Sequence, residues 1–314
     1  MGSCYSFCRT SAVISCSSSN DPAKELAPLK NEPTTTIVKF ALKFPNGLKG
    51  IEFINDQVVP HENINTWLSD LYANSAWDQW IIYNDETGHL GDNHHRKGHC
   101  KGILAWSGTR ISWLCHSIPN FPRNFDGKSI SDIEKGETIY GQSLQYIEIP
   151  FTDVLFEKIM NQLYIMDPHI FNVKIPSILR ISSSEKMRTK DVSAIYLSKY
   201  PPIVHLAKSP FCNIDIYGDY IANYFDNSGK WKVETWIRGH RISKESDLIE
   251  DVIHLQFENT HYTETQDHSK WAVSEKELYA VGDLNRMTSQ FHRGGGMFIC
   301  TNPEIAKSLR NLIT

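Results

Sequence analysis

Two His-x-Lys triplets stand out as residues able to do chemistry together: His99-Cys100-Lys101 and His268-Ser269-Lys270. Each opens an apolar run that reads as a β-strand, so the histidine and its lysine, two residues apart, project from one face. Seventeen residues after each histidine, on the returning strand of a hairpin, stands a further polar side chain, His116 in the first copy and Asn285 in the second. Two imidazoles backed by two ammonium groups and extra donors suit metal-free cleavage of a phosphodiester. A neutral imidazole attacks phosphorus, a protonated one delivers a proton to the departing alkoxide, and the lysines neutralise the transition-state oxygens.

The elements that must position these groups follow from periodicity and turn residues. Alternation predicts a strand over 37–44, with 51–54 as its partner, and a helix over 62–73 with Ile64, Trp67, Leu68 and Leu71 on one face. A short buried strand over 80–83 precedes a polar, His-rich loop over 84–98. Residues 100–106 and 110–116 form the first hairpin, across Ser107-Gly108-Thr109. A strand over 140–151 leads into a helix over 152–164 capped by Thr152. In the second half we expect a polar loop over 182–191, a break at Pro201, a strand over 231–238 and a helix over 246–257 capped by Ser246. The second hairpin joins 268–273 to 278–284, and a last helix starts at Asn302 with Pro303 at its first position. Trp67, Trp77, Trp80 and Trp106 read as core.

The flanks of the two triplets carry a resemblance. His268, Lys270, Gly282 and Asn285 match the spacing of the phospholipase D superfamily. Glu275 stands at its usual acidic position, where the first copy has Trp106, and Asp283 replaces a small hydroxyl residue. More specifically, the chain resembles the deoxyribonuclease II family. The carriers are Arg96-Lys97-Gly98-His99-Cys100-Lys101-Gly102, Trp113-Leu114-Cys115-His116-Ser117-Ile118-Pro119-Asn120-Phe121-Pro122, Tyr140-Gly141-Gln142, Asp267-His268-Ser269-Lys270-Trp271, Gly282-Asp283-Leu284-Asn285-Arg286 and Arg293-Gly294-Gly295-Gly296. The resemblance implies a mixed α/β, pseudo-two-fold phospholipase D-like fold, with two sheet-and-helix halves packed around one active site. It also implies metal-independent, acid-favouring endonucleolytic hydrolysis of double-stranded DNA, without sequence specificity, to 3′-phosphate and 5′-hydroxyl ends through a phosphohistidine. The expected catalytic set is His99, Lys101, His268 and Lys270, supported by His116, Asn285, Asp283 and Arg293, with no metal and no cofactor. Ala272 stands where animal members carry a cysteine, so their disulfides are not carried over. Competing readings are a phospholipase D-like phosphodiesterase acting on lipid and a catalytically inactive DNA-binding relative.

Composition sets the bounds. With 314 residues and 40% hydrophobic content the chain can bury a large core, which we divide into halves at 34–175 and 176–314 after a disordered leader or anchor over 1–33. Net charge is −4, but the 13 histidines make the chain a polycation in acid. No apolar run reaches the ~20 residues of a membrane helix. Gly2, Cys4 and Ser6 fit a lipid-anchor pattern, no standard signal peptide is evident, and compartment and homodimer formation stay open. The seven cysteines show no CxxC spacing. His89, His94, His95, His99 and Cys100 match no zinc pattern. Arg293-Gly294-Gly295-Gly296 is either a phosphate cradle or a turn needing positive φ.

Overall fold

A computed structural model of the chain describes residues 14–15, 35–54, 57–74, 77–87, 97–176, 191–225, 228–237 and 247–314. Most of the His-rich loop, the polar loop before residue 191, the cap Ser246 and the lipid-anchor pattern lie outside these residues.

The strands are β1 (Ile14–Ser15), β2 (Ile37–Lys43), β3 (Gly50–Ile54), β4 (Gln57–His61), β5 (Gln79–Asn84), β6 (Lys101–Trp106), β7 (Arg110–His116), β8 (Gln142–Pro150) and β9 (Ile170–Lys174). They continue as β10 (Asp191–Lys199), β11 (Pro202–Lys208), β12 (Trp231–Thr235), β13 (Ile249–Asp251), β14 (His254–Phe257), β15 (Thr260–Thr263), β16 (Lys270–Ser274), β17 (Leu278–Gly282) and β18 (Gly295–Thr301). Helices α1 (Ile64–Ala73), α2 (Asp153–Met166), the short α3 (Ala222–Tyr224) and α4 (Pro303–Asn311) complete the chain.

Two eight-stranded sheets result, in the orders β9-β5-β6-β7-β8-β2-β3-β4 and β13-β12-β16-β17-β18-β11-β10-β1. The orders correspond position by position. β6 and β16, each opened by a His-x-Lys triplet, hold the same place in their sheets. β8 and β18 do too, and each is followed directly by a helix. The ladders are antiparallel except that β12 runs parallel to β13. The fold is therefore mixed α/β with a pseudo-two-fold arrangement, as expected.

The sheets face each other across one core. Phe40 stacks on Phe53 at 5.0 Å and on Tyr279 of the opposite sheet at 5.6 Å. Trp113 of β7 meets His205 of β11 at 4.3 Å and Phe298 of β18 at 5.1 Å. Truncating such a ring would cost on the order of 3–5 kcal/mol. Apolar faces of α2 and α4 join this core, whereas α1 covers the outer face of the first sheet. This is why β6, buried along its whole length, lacks polar alternation. Trp67, Trp77, Trp80 and Trp106 are all buried.

Local signals account for the helix ends. Thr152 accepts from the Leu155 N–H at 3.2 Å, and Asn302 accepts from Glu304 and Ile305, with Pro303 at the first position. The helix expected over 246–257 is not formed. Its segment makes β13, against β12, and β14, paired with β15. Leu248, Val252 and Leu255 fit a helical period, but Ile249, Val252 and Ile253 are β-branched, and the neighbouring strand edge takes up the backbone donors. No helix of the described residues is long and apolar enough to cross a membrane.

Candidate active site

The first triplet sits where β6 begins. His99 is mostly buried, and its Nδ1 donates to the Asp283 carbonyl at 2.8 Å. That bond fixes the tautomer, because a carbonyl only accepts, so the neutral ring keeps its lone pair on Nε2. Burial pushes the His99 pKa down to about 4, and Lys101, Lys270 and Arg293 add to the effect against the opposing charge of Asp85.

Lys101 is anchored by carboxylates at the end of β5. Its ammonium donates to Asp85 at 2.6 Å and to Glu86 at 3.4 Å. Asp85 also accepts from Arg293 at 2.8 Å. Burial alone would raise the Asp85 pKa, but Lys101, His99 and Arg293 override it and hold the carboxyl well below its ordinary value. Lys101 is held above its ordinary value by Asp85 and Glu86, in spite of burial. Arg293 thus reaches the first triplet indirectly, as the second cation on Asp85, and its Nε donates to the Lys97 carbonyl at 2.8 Å.

The second triplet is differently furnished. His268 stacks flat on Tyr140, centroids 4.0 Å apart at 9°, and leans on Trp236 at 4.2 Å. Lys270 donates to the His268 carbonyl. Burial first, then the nearby Lys101, brings the Lys270 pKa down to about 8. Since Lys270 is felt by both His99 and Glu86, the two triplets meet at one seam between the sheets. Each histidine is also held by the opposite half, with the His99 N–H bonded to Gly294 O at 2.7 Å and the His268 N–H to Gly141 O at 2.9 Å.

Three of the residues expected to support the triplets are buried. The Asp283 carboxyl accepts from the Gly296 N–H at 2.9 Å and the Cys115 thiol at 3.4 Å, and burial raises its pKa to about 7. His116 Nδ1 accepts from the Ile118 N–H at 3.2 Å, which puts the ring proton on Nε2, where it has no partner among the described residues. Burial and Lys101 lower its pKa to about 3. Asn285 is buried with Oδ1 unpartnered among the described residues.

The shared 17-residue offset does not make His116 and Asn285 equivalent. Gly102 pairs with Cys115, so His116 comes opposite Lys101 one step further on. Trp271 pairs with Val281, so position 282 comes opposite Lys270, and Asn285 lies beyond the strand end. Gly294 to Gly296 are not a positive-φ turn, since among the described glycines only Gly127 and Gly229 take that conformation. They serve close approach instead. A Cβ on Gly294 would come within 2.1 Å of the Met166 carbonyl, and one on Gly98 within 2.2 Å of the same atom.

Asp85, Glu86 and His99 bring three potential ligand atoms within 4.8 Å of one another. The set fits a dication poorly, because both oxygens of Asp85 already face cations, Lys101 and Arg293. Sequence reasoning missed Asp85 and Glu86. The available signal was a carboxylate pair at the end of the strand preceding the triplet, since Asn84 pairs with Lys101.

These features define a mixed α/β protein of two matched halves, with a seam of imidazole and ammonium groups suited to an anionic phosphodiester. The chain belongs to the deoxyribonuclease II family: the Deoxyribonuclease II family profile matches residues 49–314. Among similar proteins, Deoxyribonuclease-2-beta of Mus musculus is 30% identical over 260 residues, covering 74% of this chain and 69% of the relative. Plancitoxin-1 of Acanthaster planci is 32% identical over 77% of this chain and 72% of its own length. Deoxyribonuclease-2-alpha of Sus scrofa is 27% identical over 78% and 72%.

Proposed function

We propose that this protein is an endodeoxyribonuclease that hydrolyses DNA without metal, with His99 as nucleophile and His268 as proton donor, leaving 3′-phosphate and 5′-hydroxyl ends. The observation that carries the assignment is the unequal furnishing of the two imidazoles. His99 has its Nδ1 proton tied to the Asp283 carbonyl, is buried so that the neutral ring prevails above about pH 4, and presents a lone pair on Nε2. His268 stacks flat on Tyr140 and leans on a tilted Trp236, contacts that strengthen when the ring carries a proton.

In the first step Nε2 of His99 forms a bond to phosphorus as the bond from phosphorus to O5′ breaks, and His268 passes its proton to O5′. The phosphorylated ring is cationic and still donates Nδ1–H to Asp283. In the second step water attacks phosphorus and gives its proton to His268, and His99 departs neutral. Lys101, Lys270 and the unpartnered Nε2–H of His116 supply positive charge and a donor to the phosphoryl oxygens. Both ammonium groups are already in place, so no cation has to be recruited.

The test is plasmid nicking in excess EDTA from pH 4 to 9, with the product ends assigned and the acid-labile phosphoryl group on His99 trapped by rapid quench. Nicking with chelator present and a phosphoryl group on His99 are expected. Activity lost on chelation and restored by a divalent ion would sink the mechanism and point to Asp85, Glu86 and His99 as ligands.

A further inference from the structure

Among the described residues, two buried lysines lie outside the His-x-Lys triplets. Lys43 ends β2 and Lys208 ends β11, strands that hold the same place in their respective sheets. Both side chains are almost wholly buried, and each ammonium donates to three main-chain carbonyls. Lys43 bonds Phe44, Gly47 and Thr138 at 2.9, 3.0 and 3.0 Å. Lys208 bonds Cys212, Phe291 and Arg293 at 3.1, 2.8 and 2.6 Å.

The carbonyls they choose are informative. Thr138 lies in the loop that enters β8, three residues before Gly141. Phe291 and Arg293 lie in the loop that enters β18, just before Gly294. Those two glycines hold the histidine N–H groups of the opposite half, Gly141 that of His268 and Gly294 that of His99. The same loops deliver Tyr140 to the ring of His268 and Arg293 to the Asp85 that anchors Lys101. Main-chain bonds from Asn46 to Ile139 and from Gly47 to Thr138 brace the first loop from the strand end that carries Lys43.

A lysine costs a great deal to bury, and a turn that only needed closing could be closed by a shorter neutral donor. An ammonium at the end of a strand gathers three carbonyls at once and leaves the loop a single geometry. We infer that Lys43 and Lys208 are a symmetric pair of positioning residues, each clamping the loop of its own half that orients the histidine of the other half. Lys43 acts on the proton donor His268, and Lys208 acts on the nucleophile His99.

This inference rests on the roles given to those histidines above, and a substrate with a good leaving group separates the two questions. Thymidine 3′-(4-nitrophenyl phosphate) releases nitrophenolate, which needs no proton, so single-turnover release reports on nucleophilic attack alone. Lys43→Met is expected to lower kcat on DNA by roughly 10- to 100-fold, the scale of an ångström-level misplacement, with KM within about twofold and nitrophenolate release nearly intact. Lys208→Met is expected to lower both rates alike. Lys43→Gln and Lys208→Gln, which keep a side-chain donor, should show the same pattern in milder form and serve where the methionine variants do not fold. The control is His268→Ala: loss of nitrophenolate release in that variant would refute the assigned roles of the histidines rather than the clamps. Unchanged kcat in both lysine variants would overturn the inference. So would equal losses on both substrates for Lys43→Met, accompanied by a lower thermal midpoint, which would mark that clamp as structural only.

Discussion

The raised pKa of Asp283 turns acidity into folding stability, and the effect can be isolated by replacing Asp283 with Asn. Burial lifts this carboxyl from the ordinary 3.8 to about 7 in the folded chain. Below pH 4 it is protonated folded or unfolded, and its full contribution to stability is present. Between about pH 4 and 7 the unfolded chain releases the proton while the folded chain retains it, so stability is lost as pH rises through that window. At ~1.4 kcal/mol per tenfold change in the proton equilibrium, the gap corresponds to about 4 kcal/mol, an upper bound. For a chain of this size that is roughly 8 °C in thermal midpoint. The amide of Asp283→Asn has no such proton. It can still accept from the Gly296 N–H, and whatever constant cost it brings does not vary with pH. Thermal unfolding from pH 3.5 to 8 at fixed ionic strength should therefore show the variant gaining on the wild type from pH 4 to 7, with a constant difference above. A difference that stays flat across the window, or runs the other way, would refute the burial argument.

Other outcomes follow from the site. His99→Ala and His268→Ala should each lower the nicking rate by several orders of magnitude, non-additively, because on the proposed mechanism nucleophile and donor act as one unit; near-normal turnover in either would remove that histidine from the mechanism. Lys101→Ala and Lys270→Ala should cost less, roughly 10²- to 10³-fold in kcat, measured on the same plasmid. The pH–rate profile should rise through about pH 4 as His99 becomes neutral and reach its maximum on the order of pH 5–6, with salt weakening DNA binding at every pH. A maximum above pH 7.5 would contradict it. Asp85→Asn, which leaves Lys101 and Arg293 without a shared anion, should lower kcat more than it raises KM, as initial rates against DNA concentration would show.

The parts legible in sequence are those governed by short-range rules. Hairpin strands, the Thr152 and Asn302 caps and the triplets depend on spacing within a few residues, and the structure has them in place. The two strands built over 246–257 were illegible because Leu248, Val252 and Leu255 satisfy both periods, and only the exposed edge of β12 decides between them. Asp85 and Arg293 could not be read as one unit, since 208 residues separate them and only the folded chain brings the guanidinium onto the carboxylate. Lys43 and Lys208 carry no signal of their own in the sequence, since the carbonyls that hold them include ones far along the chain, at Thr138, Phe291 and Arg293. The stacking of Tyr140 on His268 likewise needs the first half to reach across to the second.

That crossing has a consequence for biosynthesis. Each histidine is fastened in part by the opposite half: His99 waits for Gly294, and His268 docks on a loop made much earlier. A polypeptide stopped anywhere before residue 294 carries a His-x-Lys pair without the carbonyl that seats it. Such a fragment lacks the contact that orients His99, so on the proposed mechanism cleavage of DNA begins only once almost the whole chain has been translated.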